Sequence, residues 1–454
     1  MSAGTEARFE AYVAGLSSVL GHADRIAGLK DYCTGLMLPL ERKSVEPLAA
    51  ATAPDRVSAQ HQSLMHFVSQ SAWSDDKVLA KVRELVWPSI EAHGPIEAWI
   101  IDDTSFRKQG RHSVGVARQY CGEIGKQDNC QVAVSLSLAN AFASLPVAFR
   151  LYLPKEWAED PGRRKKAGVP EQIGFSTKPQ MALEQIRWAC EAGLPRGVVL
   201  MDPGYGHDGR LRTGVSALGL SYVAGVQANA AIFGPNARSE PDATLAKDIA
   251  LSLPAMAWRQ VEWREGTNET LASRFARVRA HSAHRRPKGE ALQEEWLLIE
   301  WPQGQDAPTK YWLSTLPEHI AFERLVELAK LRWRIERDYQ DLKQELGLDH
   351  FEGRSWRGLH HHATLTIAAY GFLICERETI PPSGPSPSRH GAQTGIPAGY
   401  RPRGAPDPAR AAHPQLDRHA AQASYRGSRR PPATMSLLRQ PEPGKHAFQT
   451  FMTQ

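Results

Sequence analysis

The sequence Arg332-Trp333-Arg334-Ile335-Glu336, followed by Lys343, is the most informative stretch of this chain. It lies in a segment, about 320–347, whose spacing predicts one long helix. At about 100° per residue, Glu336 lies about 40° and Lys343 about 20° around that helix from Arg332, so the three side chains share a polar face. An apolar stripe beside this face is expected to pack the helix on a core, and it consists of Leu328, Leu331, Ile335, Leu342 and Leu346.

The polar face of this helix carries a carboxylate between two cations. Such an arrangement suits a metal ligand that lies next to a phosphate backbone. An exposed helix with ion pairs at i,i+4 spacing is the alternative, and it accounts for Arg332 and Glu336 equally well. The choice depends on what the rest of the chain places beside Glu336.

The chain has 454 residues and a formal net charge of +6. Its length predicts two or three domains. The charge is unevenly placed, because residues 379–454 hold ten Lys and Arg against three Asp and Glu, and the preceding residues sum to about −1. Whole-chain basicity is therefore weak evidence for nucleic-acid binding by the folded part, and local basic clusters are the better indicator.

The sequence disfavours membrane, secreted and cysteine-based classes of protein. No apolar run approaches the roughly 20 residues that span a bilayer, and the N-terminus lacks a secretory signal, so a cytoplasmic location is expected. The five cysteines are scattered without a CxxC pair. This spacing favours reduced cysteines over a zinc ribbon or a disulfide framework.

Patterns along the chain divide it into five parts. Residues 1–90 are predicted to form a separate helical N-terminal domain. Residues 91–227 alternate strands and helices in an α/β pattern, and residues 228–318 predict a β-rich insertion. A helical segment over 319–378 returns the chain to the α/β core. The basic tail, 379–454, holds 13 of the 32 prolines and is expected to be disordered.

Two short apolar runs in the α/β part predict buried strands, each ending at an acidic residue. Residues 98–101 are followed by Asp102-Asp103-Thr104, and residues 198–201 by Asp202. Thr177 with Pro179 predicts the start of a helix that ends near residue 192. Other expected elements are strands over 131–138, 146–153, 221–226, 273–280, 296–301 and 311–315, and a helix over 359–375.

Asp102 and Asp202 are the acidic residues at these two strand ends, and Glu336 is carried by a helix bordering the same core. Strand ends of an α/β sheet gather catalytic groups because the backbone fixes them while the loops leave access. Three carboxylates without histidine or thiolate ligands favour a hard cation such as Mg²⁺ or Mn²⁺. Two such ions, about 4 Å apart, activate a water or a 3′-hydroxyl and stabilise the leaving oxygen of a phosphodiester.

Each aspartate also has a purely structural interpretation. Asp102-Asp103-Thr104 suits a helix or turn cap, and Asp202-Pro203-Gly204-Tyr205 suits a turn. The order is more specific than any single residue: a strand-end aspartate, a second about 100 residues later, an insertion, and a glutamate on a helix. This order predicts one site that contains all three carboxylates.

The order and the motifs resemble those of the DDE transposases of bacterial insertion sequences. Asp102-x-Thr104, Asp202-Pro-Gly-Tyr-Gly206 and Arg332-x3-Glu336-x6-Lys343 are similar to the three motifs of that family, the third of which is Y-x2-R-x3-E-x6-K. The loop from Gly115 to Gln131 narrows the resemblance to the insertion-sequence 701 branch.

The resemblance covers about residues 10–378 and departs from the family at Ala329, which stands in place of the signature tyrosine. It implies an α/β fold with an RNase H-like catalytic core, interrupted by the β-rich insertion and preceded by the helical N-terminal domain. The position and helical pattern of that domain suit binding of transposon-end DNA, and packing against the catalytic core is the alternative. The resemblance also implies that Asp102, Asp202 and Glu336 are catalytic and hold two divalent metal ions, Mg²⁺ or Mn²⁺. The D-x-T pattern favours Asp102 as the first ligand, with Asp103 as the alternative.

The resemblance also implies DNA-binding residues. Arg332 and Lys343 would hold phosphates, and Trp333 would stack on a base or else belong to the core. Three further cations of a basic, glycine-rich loop are either backbone contacts or solvated surface charge, namely Lys108, Arg118 and Lys126. The triplet His360-His361-His362 is interpreted as surface or DNA-facing, because adjacent helical residues point about 100° apart and do not easily share a metal.

The implied function is that of a cytoplasmic, nucleoid-associated transposase that cuts double-stranded DNA at terminal inverted repeats and transfers the strands to target DNA by cut-and-paste. A homodimer assembled on that DNA is expected, with no membrane partner. Two alternatives remain open: an RNase H-like nuclease that cuts but does not join, and a catalytically inactive DNA-binding relative. An assay of strand transfer distinguishes the first alternative, and the three intact acidic residues argue against the second.

Overall fold

Two apolar strands, β1 (Ala98–Arg107) and β5 (Val198–Met201), run parallel at the centre of the fold. The computed structural model describes residues 3–234, 243–265, 270–283 and 294–379. Residues of β1 alternate between two hydrophobic clusters, with Trp99 and Ile101 in one and Ala98 and Ile100 in the other. Because these strands are buried on both faces, they read in the sequence as continuous apolar runs.

The strands of the described residues form one mixed sheet. The first half adds β2 (Ala117–Cys121), β3 (Lys126–Ala139), β4 (Ser144–Leu151) and β6 (Tyr222–Val226). The second half contains β7 (Ala231–Phe233), β8 (Ala243–Leu245), β9 (Arg259–Glu265), β10 (Thr270–Ser282), β11 (Glu294–Pro302) and β12 (Lys310–Ser314). The order is β2-β3-β1-β5-β6-β12-β11-β10-β7-β8, with β4 beside β3 and β9 beside β10.

Strand β1 does not end at Asp102, so the expectation of a strand end there is wrong. It continues to Arg107 because β3 pairs with it antiparallel along its whole length. The parallel pairing with β5, in contrast, stops at Ile101 opposite Met201. Asp102 is therefore the first residue beyond the parallel pair, which is the edge where ligands gather in α/β sheets.

Helices pack on both faces of the sheet. α8 (Lys178–Glu191) starts at a capping box formed by Thr177 and Gln180, and it buries Ile186 in the cluster that contains Trp99. α12 (Phe322–Leu331) buries Leu325 in the cluster that contains Ile100. The shorter helices are α6 (Lys155–Ala158), α7 (Pro161–Ala167), α9 (Pro203–Gly206), α10 (Gly209–Ala217) and α11 (Ala246–Ser252).

The segment predicted as one helix over 320–347 consists of three elements. They are α12, α13 (Trp333–Gln340) and a π-helical turn (Asp341–Glu345), and the break between the first two falls at Arg332. All five residues of the predicted apolar stripe are buried, but they divide between the two clusters. Leu328, Leu331 and Ile335 belong to one, and Leu342 and Leu346 to the other.

Helices of the N-terminal region pack around the last described helix, α14 (Trp356–Thr379). They are α1 (Ala3–Ser17), α2 (Arg25–Met37), α3 (Val45–Thr52), α4 (Val57–Ser69) and α5 (Asp75–Glu91). Residues 3–379 fall within one compact unit. None of the helices described is long and apolar enough to cross a membrane. The tail expected to be disordered lies, from residue 380 onward, outside the described residues.

The histidine triplet lies inside the protein, so its interpretation as surface or DNA-facing is wrong. All three side chains are on α14 and buried. The Nε2 atom of His360 accepts a hydrogen bond from the backbone N–H of Leu151 (3.2 Å), while its Nδ1 atom faces the carbonyl of Trp356 (2.9 Å). Burial lowers the pKa of each histidine to about 4. The triplet connects α14 to its neighbours.

Candidate active site

Asp102 lies in the middle of β1, and its side chain is largely buried. One carboxylate oxygen, Oδ2, accepts a hydrogen bond from Nη1 of Arg332 at 2.6 Å. The other, Oδ1, accepts from the backbone N–H of Asp103 at 2.8 Å. Both oxygens are therefore held in place by donors, one from the strand itself and one from the break between α12 and α13.

Asp202 follows β5 directly and caps the short helix α9. Its Oδ1 atom accepts a hydrogen bond from the backbone N–H of Tyr205 at 3.1 Å, as an N-cap aspartate does. The helix lies so close to β6 that a Cβ atom on Gly206 would be 2.1 Å from the carbonyl oxygen of Gly225. The glycine of the Asp-Pro-Gly-Tyr-Gly motif thus permits the approach that positions Asp202.

Glu336 lies on the first turn of α13, and two thirds of its side chain (66%) is exposed. Its Oε1 atom accepts a hydrogen bond from Nη2 of Arg332 at 2.8 Å. The guanidinium of Arg332 therefore contacts Asp102 with one nitrogen and Glu336 with the other. Within the described residues, there is no group of three or more His, Cys, Asp or Glu side chains placed so that it could hold a metal ion.

The charges of the acidic residues influence one another. The pKa of Asp102 is raised to about 7: burial is the largest cause, Arg332 opposes it, and the negative charges of Asp202 and Asp103 add to it. Burial also raises the pKa of Asp202, again against the effect of Arg332. Burial by itself lowers the pKa of Arg332, but Asp102, Asp202 and Glu336 outweigh it and the net shift is upward. All three acidic residues thus act on one guanidinium.

Asp103 has different neighbours from Asp102, because successive strand residues point to opposite faces of a sheet. Its Oδ2 atom accepts hydrogen bonds from Nζ of Lys178 (2.9 Å) and from the hydroxyl of Tyr205 (3.1 Å). Lys178 is the first residue of α8, and Tyr205 is the residue whose N–H holds Asp202. Asp103 therefore contacts the loop of Asp202 rather than Arg332.

The cations predicted to contact DNA fall into two groups. Lys343 and Lys108 are mostly buried, and each donates to a backbone carbonyl, Lys343 to Ser105 (2.8 Å) and Lys108 to Phe351 (2.7 Å). Burial lowers the pKa of both amines. Arg118 and Lys126 are exposed. The ring of Trp333 is half-buried, with the guanidinium carbon of Arg334 4.8 Å from its centre.

Two residues next to the acids, Lys178 and Tyr205, were not among those predicted from the sequence. A signal for each is present in the chain. Tyr205 belongs to the turn that follows Asp202, and Lys178 opens the helix that Thr177 caps. What the sequence does not provide is the contact of both with Asp103, because that contact joins three separate elements.

A mixed sheet with helices on both faces, and with aspartates at the edge where two parallel strands stop pairing, is the arrangement of an RNase H-like endonuclease core. Comparison with known families agrees with this class. Residues 15–270 match the family described as DDE superfamily endonuclease, and residues 177–372 match the transposase DDE domain.

A curated relative is similar over most of the chain. The probable transposase for insertion sequence element IS701 from Microchaete diplosiphon is 30% identical over 343 residues, which cover 75% of this chain and 79% of the relative. The chain belongs to the DDE transposases, an enzyme family. The resemblance to the insertion-sequence 701 branch is confirmed by the same comparison.

Proposed function

We propose that this transposase acts by cut-and-paste: it cuts double-stranded DNA at terminal inverted repeats and transfers the freed ends to target DNA. The observation that carries the proposal is the shared guanidinium of Arg332, which contacts Asp102 and Glu336 and lies in the field of Asp202. Three acidic residues far apart in the sequence therefore act at one place. The catalytic residues in this proposal are Asp102, Asp202 and Glu336.

We propose that two divalent cations, Mg²⁺ or Mn²⁺, are held by this donor set, on the strength of its chemistry. It consists of carboxylate oxygens, which hard cations prefer, and it contains no thiolate or imidazole. Asp102 and Asp202 are neighbouring buried carboxylates whose pKa values are raised, so positive charge beside them is favourable. Bound there, such ions supply an activated water or 3′-hydroxyl and stabilisation of the leaving oxygen.

The protein's own residues bind and orient the DNA in this proposal. Arg332 and Lys343 hold phosphates of the transposon end, and Trp333 offers a half-buried ring to a base. Lys108, Arg118 and Lys126 supply further contacts to the backbone. Of the three proposed catalytic residues, Glu336 has the most exposed carboxylate.

We further infer a homodimer assembled on nucleoid DNA, with residues 1–90 as a helical domain that binds the transposon end. Arg42 and Lys43 are cations of that domain that contact the core: Arg42 pairs with Glu352, and Lys43 donates to the carbonyl of Glu345 in the π-helical turn. The remaining parts are the two segments of the core, 91–227 and 319–378, the insertion over 228–318, and the tail over 379–454.

A strand-transfer assay tests the proposal. The substrate is DNA that carries the inverted repeats flanking the gene, with Mg²⁺ and a supercoiled target. Wild-type protein should produce cleaved ends and joined products, and Asp102→Asn or Asp202→Asn should produce neither. Asp103→Asn, the matched control, should retain cleavage because Asp103 contacts Lys178 and Tyr205 instead of Arg332. Cleavage without joining would favour a nuclease. If Asp103→Asn loses cleavage and Asp102→Asn retains it, Asp103 rather than Asp102 is the catalytic residue of β1.

A further inference from the structure

Strand β2 carries an arginine and a tyrosine whose side chains point into solvent. Exposure alternates along the strand, so that Arg118 and Tyr120 are outward and Cys121 is buried. Tyr120 is 60% exposed. In the part of the chain that the structure describes, neither side chain has an ion pair, a hydrogen bond or a ring contact. Such a pair of exposed groups on a regular strand suits a partner outside the chain.

The ribbon formed by β2 and the start of β3 is held against β1 close to the acidic residues. Oγ of Ser105 lies 3.3 Å from Sγ of Cys121 and accepts a hydrogen bond from the backbone N–H of Glu123 at 3.3 Å. The side-chain amide of Gln119 donates to the carbonyl of Cys130 at 2.9 Å. Ser105 is three residues from Asp102 on the same strand. The ribbon is therefore attached to the strand that carries Asp102, about 10 Å along that strand from it.

This region is basic in an otherwise nearly neutral body. Residues 104–127 hold five Lys and Arg against one Asp or Glu, a net charge of +4, whereas residues 1–378 together sum to about −1. The one acidic residue of the region, Glu123, lies 3.9 Å from the amine of Lys343. Arg107 pairs with Asp128 (3.2 Å) and Lys108 donates to a carbonyl, so the charge left for a polyanion is that of the exposed Arg111, Arg118 and Lys126. These cations lie in the same region as the contact with Lys343, which is already proposed to hold a phosphate.

We propose that the outward face of this ribbon, Arg118 with Tyr120, binds DNA next to the bond that is cut. Residues i and i+2 of a strand lie about 7 Å apart on one face, so Tyr120 stacks on a nucleobase while Arg118 pairs with a phosphate of the same strand. Tyrosine and arginine also occur at protein interfaces, but the exposed cations around the ribbon, Arg111, Arg118 and Lys126, and its contact with β1 favour DNA. The inference rests on one part of the proposed function, namely that the substrate is DNA.

Fluorescence of 2-aminopurine tests this inference without any need for cleavage. The probe is a random-sequence duplex of about 40 base pairs with 2-aminopurine in an unpaired terminal overhang, and the full-length protein is titrated in EDTA. Wild-type protein should quench the base on binding. Tyr120→Ala should bind roughly tenfold more weakly and lose the quenching, and Tyr120→Phe should keep both. Arg118→Gln should lower the slope of log affinity against log salt by about one.

Phe142→Ala is the control, because Phe142 is equally exposed (59%) but lies in the turn between β3 and β4. It should bind and quench as wild-type protein does. If Tyr120→Ala binds and quenches as wild-type protein does, the inference is overturned. The same result is expected if the ribbon binds another protein instead of DNA. If wild-type protein does not bind the duplex at all, the proposed function fails together with the inference. The two failures are therefore distinguishable.

Discussion

Arg332 contacts Asp102 at 2.6 Å and Glu336 at 2.8 Å, so a single side chain joins the strand and the helix of the site. Its contact with Glu336 could be predicted from i,i+4 spacing, because residues four apart lie on one face of a helix. Its contact with Asp102 could not, because the helix breaks at Arg332 and residue spacing gives no information about a break.

Glu336→Gln separates the metal-binding charge from the shape of the side chain. Cleavage should fall by at least about 100-fold, because the glutamine amide is neutral and a poor ligand for a hard cation. DNA binding in EDTA should persist or strengthen, because a negative charge facing the phosphates is removed. The measurements are cleavage in Mg²⁺ and binding by anisotropy. Glu327→Gln, an exposed change on α12, serves as the control, and wild-type cleavage by Glu336→Gln would make the glutamate structural.

Arg332→Ala should weaken DNA binding and reduce its salt dependence by about one unit of slope, the amount expected for one lost phosphate contact. Arg332→Lys retains the charge but not the paired nitrogens that reach Asp102 and Glu336, so it should recover the slope in part. Binding is measured between about 50 and 200 mM salt. Lys247→Ala, on the surface of α11, should leave the slope unchanged. An unchanged slope in Arg332→Ala would exclude a phosphate contact there.

Individual elements differ in how well the sequence predicts them. The apolar runs correctly predicted the two central strands, β1 and β5, and Thr177 correctly predicted the start of α8. The extension of β1 to Arg107 was missed because it depends on pairing with β3, whose register is a long-range property. The buried histidines were missed because a polar triplet is ordinarily exposed, and only tertiary hydrogen bonds make its burial favourable.

A substitution in helix α9 tests whether its close packing on β6 positions Asp202. Gly206→Ala places a Cβ atom within 2.1 Å of the backbone oxygen of Gly225, and backbone cannot be moved as cheaply as a flexible side chain. We expect a loss of about 3 kcal/mol in the free energy of unfolding, together with reduced cleavage. Gly174→Ala is the control, because its Cβ would have no atom within 4 Å. Equal stability of the two variants in urea would contradict the close packing of α9 on β6.

Helix α14 should make the fold sensitive to acid through His360. Because its folded pKa is about 4 and its ordinary value 6.5, the folded state binds fewer protons than the unfolded chain between these values, so stability falls as the pH is lowered through that range. At pH 5 the cost relative to pH 7 is about 2 kcal/mol. The geometry agrees, since a proton on Nε2 would face the N–H of Leu151. Urea unfolding at both pH values should show a smaller pH effect in His360→Gln than in wild-type protein. His22→Gln, at an exposed position, should behave as wild-type protein does.

Over the whole molecule, the N-terminal helices and α14 share one core although nearly 270 residues separate them in the sequence. Leu29 and Leu64 of the N-terminal region and Ile367 of α14 belong to one hydrophobic cluster. Arg8 also pairs with Glu376 at the far end of α14. Nearly all described side chains of α14 are buried. The helices before β1 pack against α14 and therefore bury much of its surface.

Deletion of residues 1–91 should therefore unfold α14 and abolish activity, in addition to removing any DNA contact made by these helices. The apolar surface exposed on α14 should make the truncated chain aggregate or bind a hydrophobic dye. Co-expression of residues 1–91 as a separate polypeptide should restore a soluble complex, because the contact is made by packing and does not require a continuous chain. The measurements are circular dichroism and size-exclusion chromatography. A soluble, cooperatively folding truncated chain that has lost only end binding would instead support an independently folding DNA-binding domain.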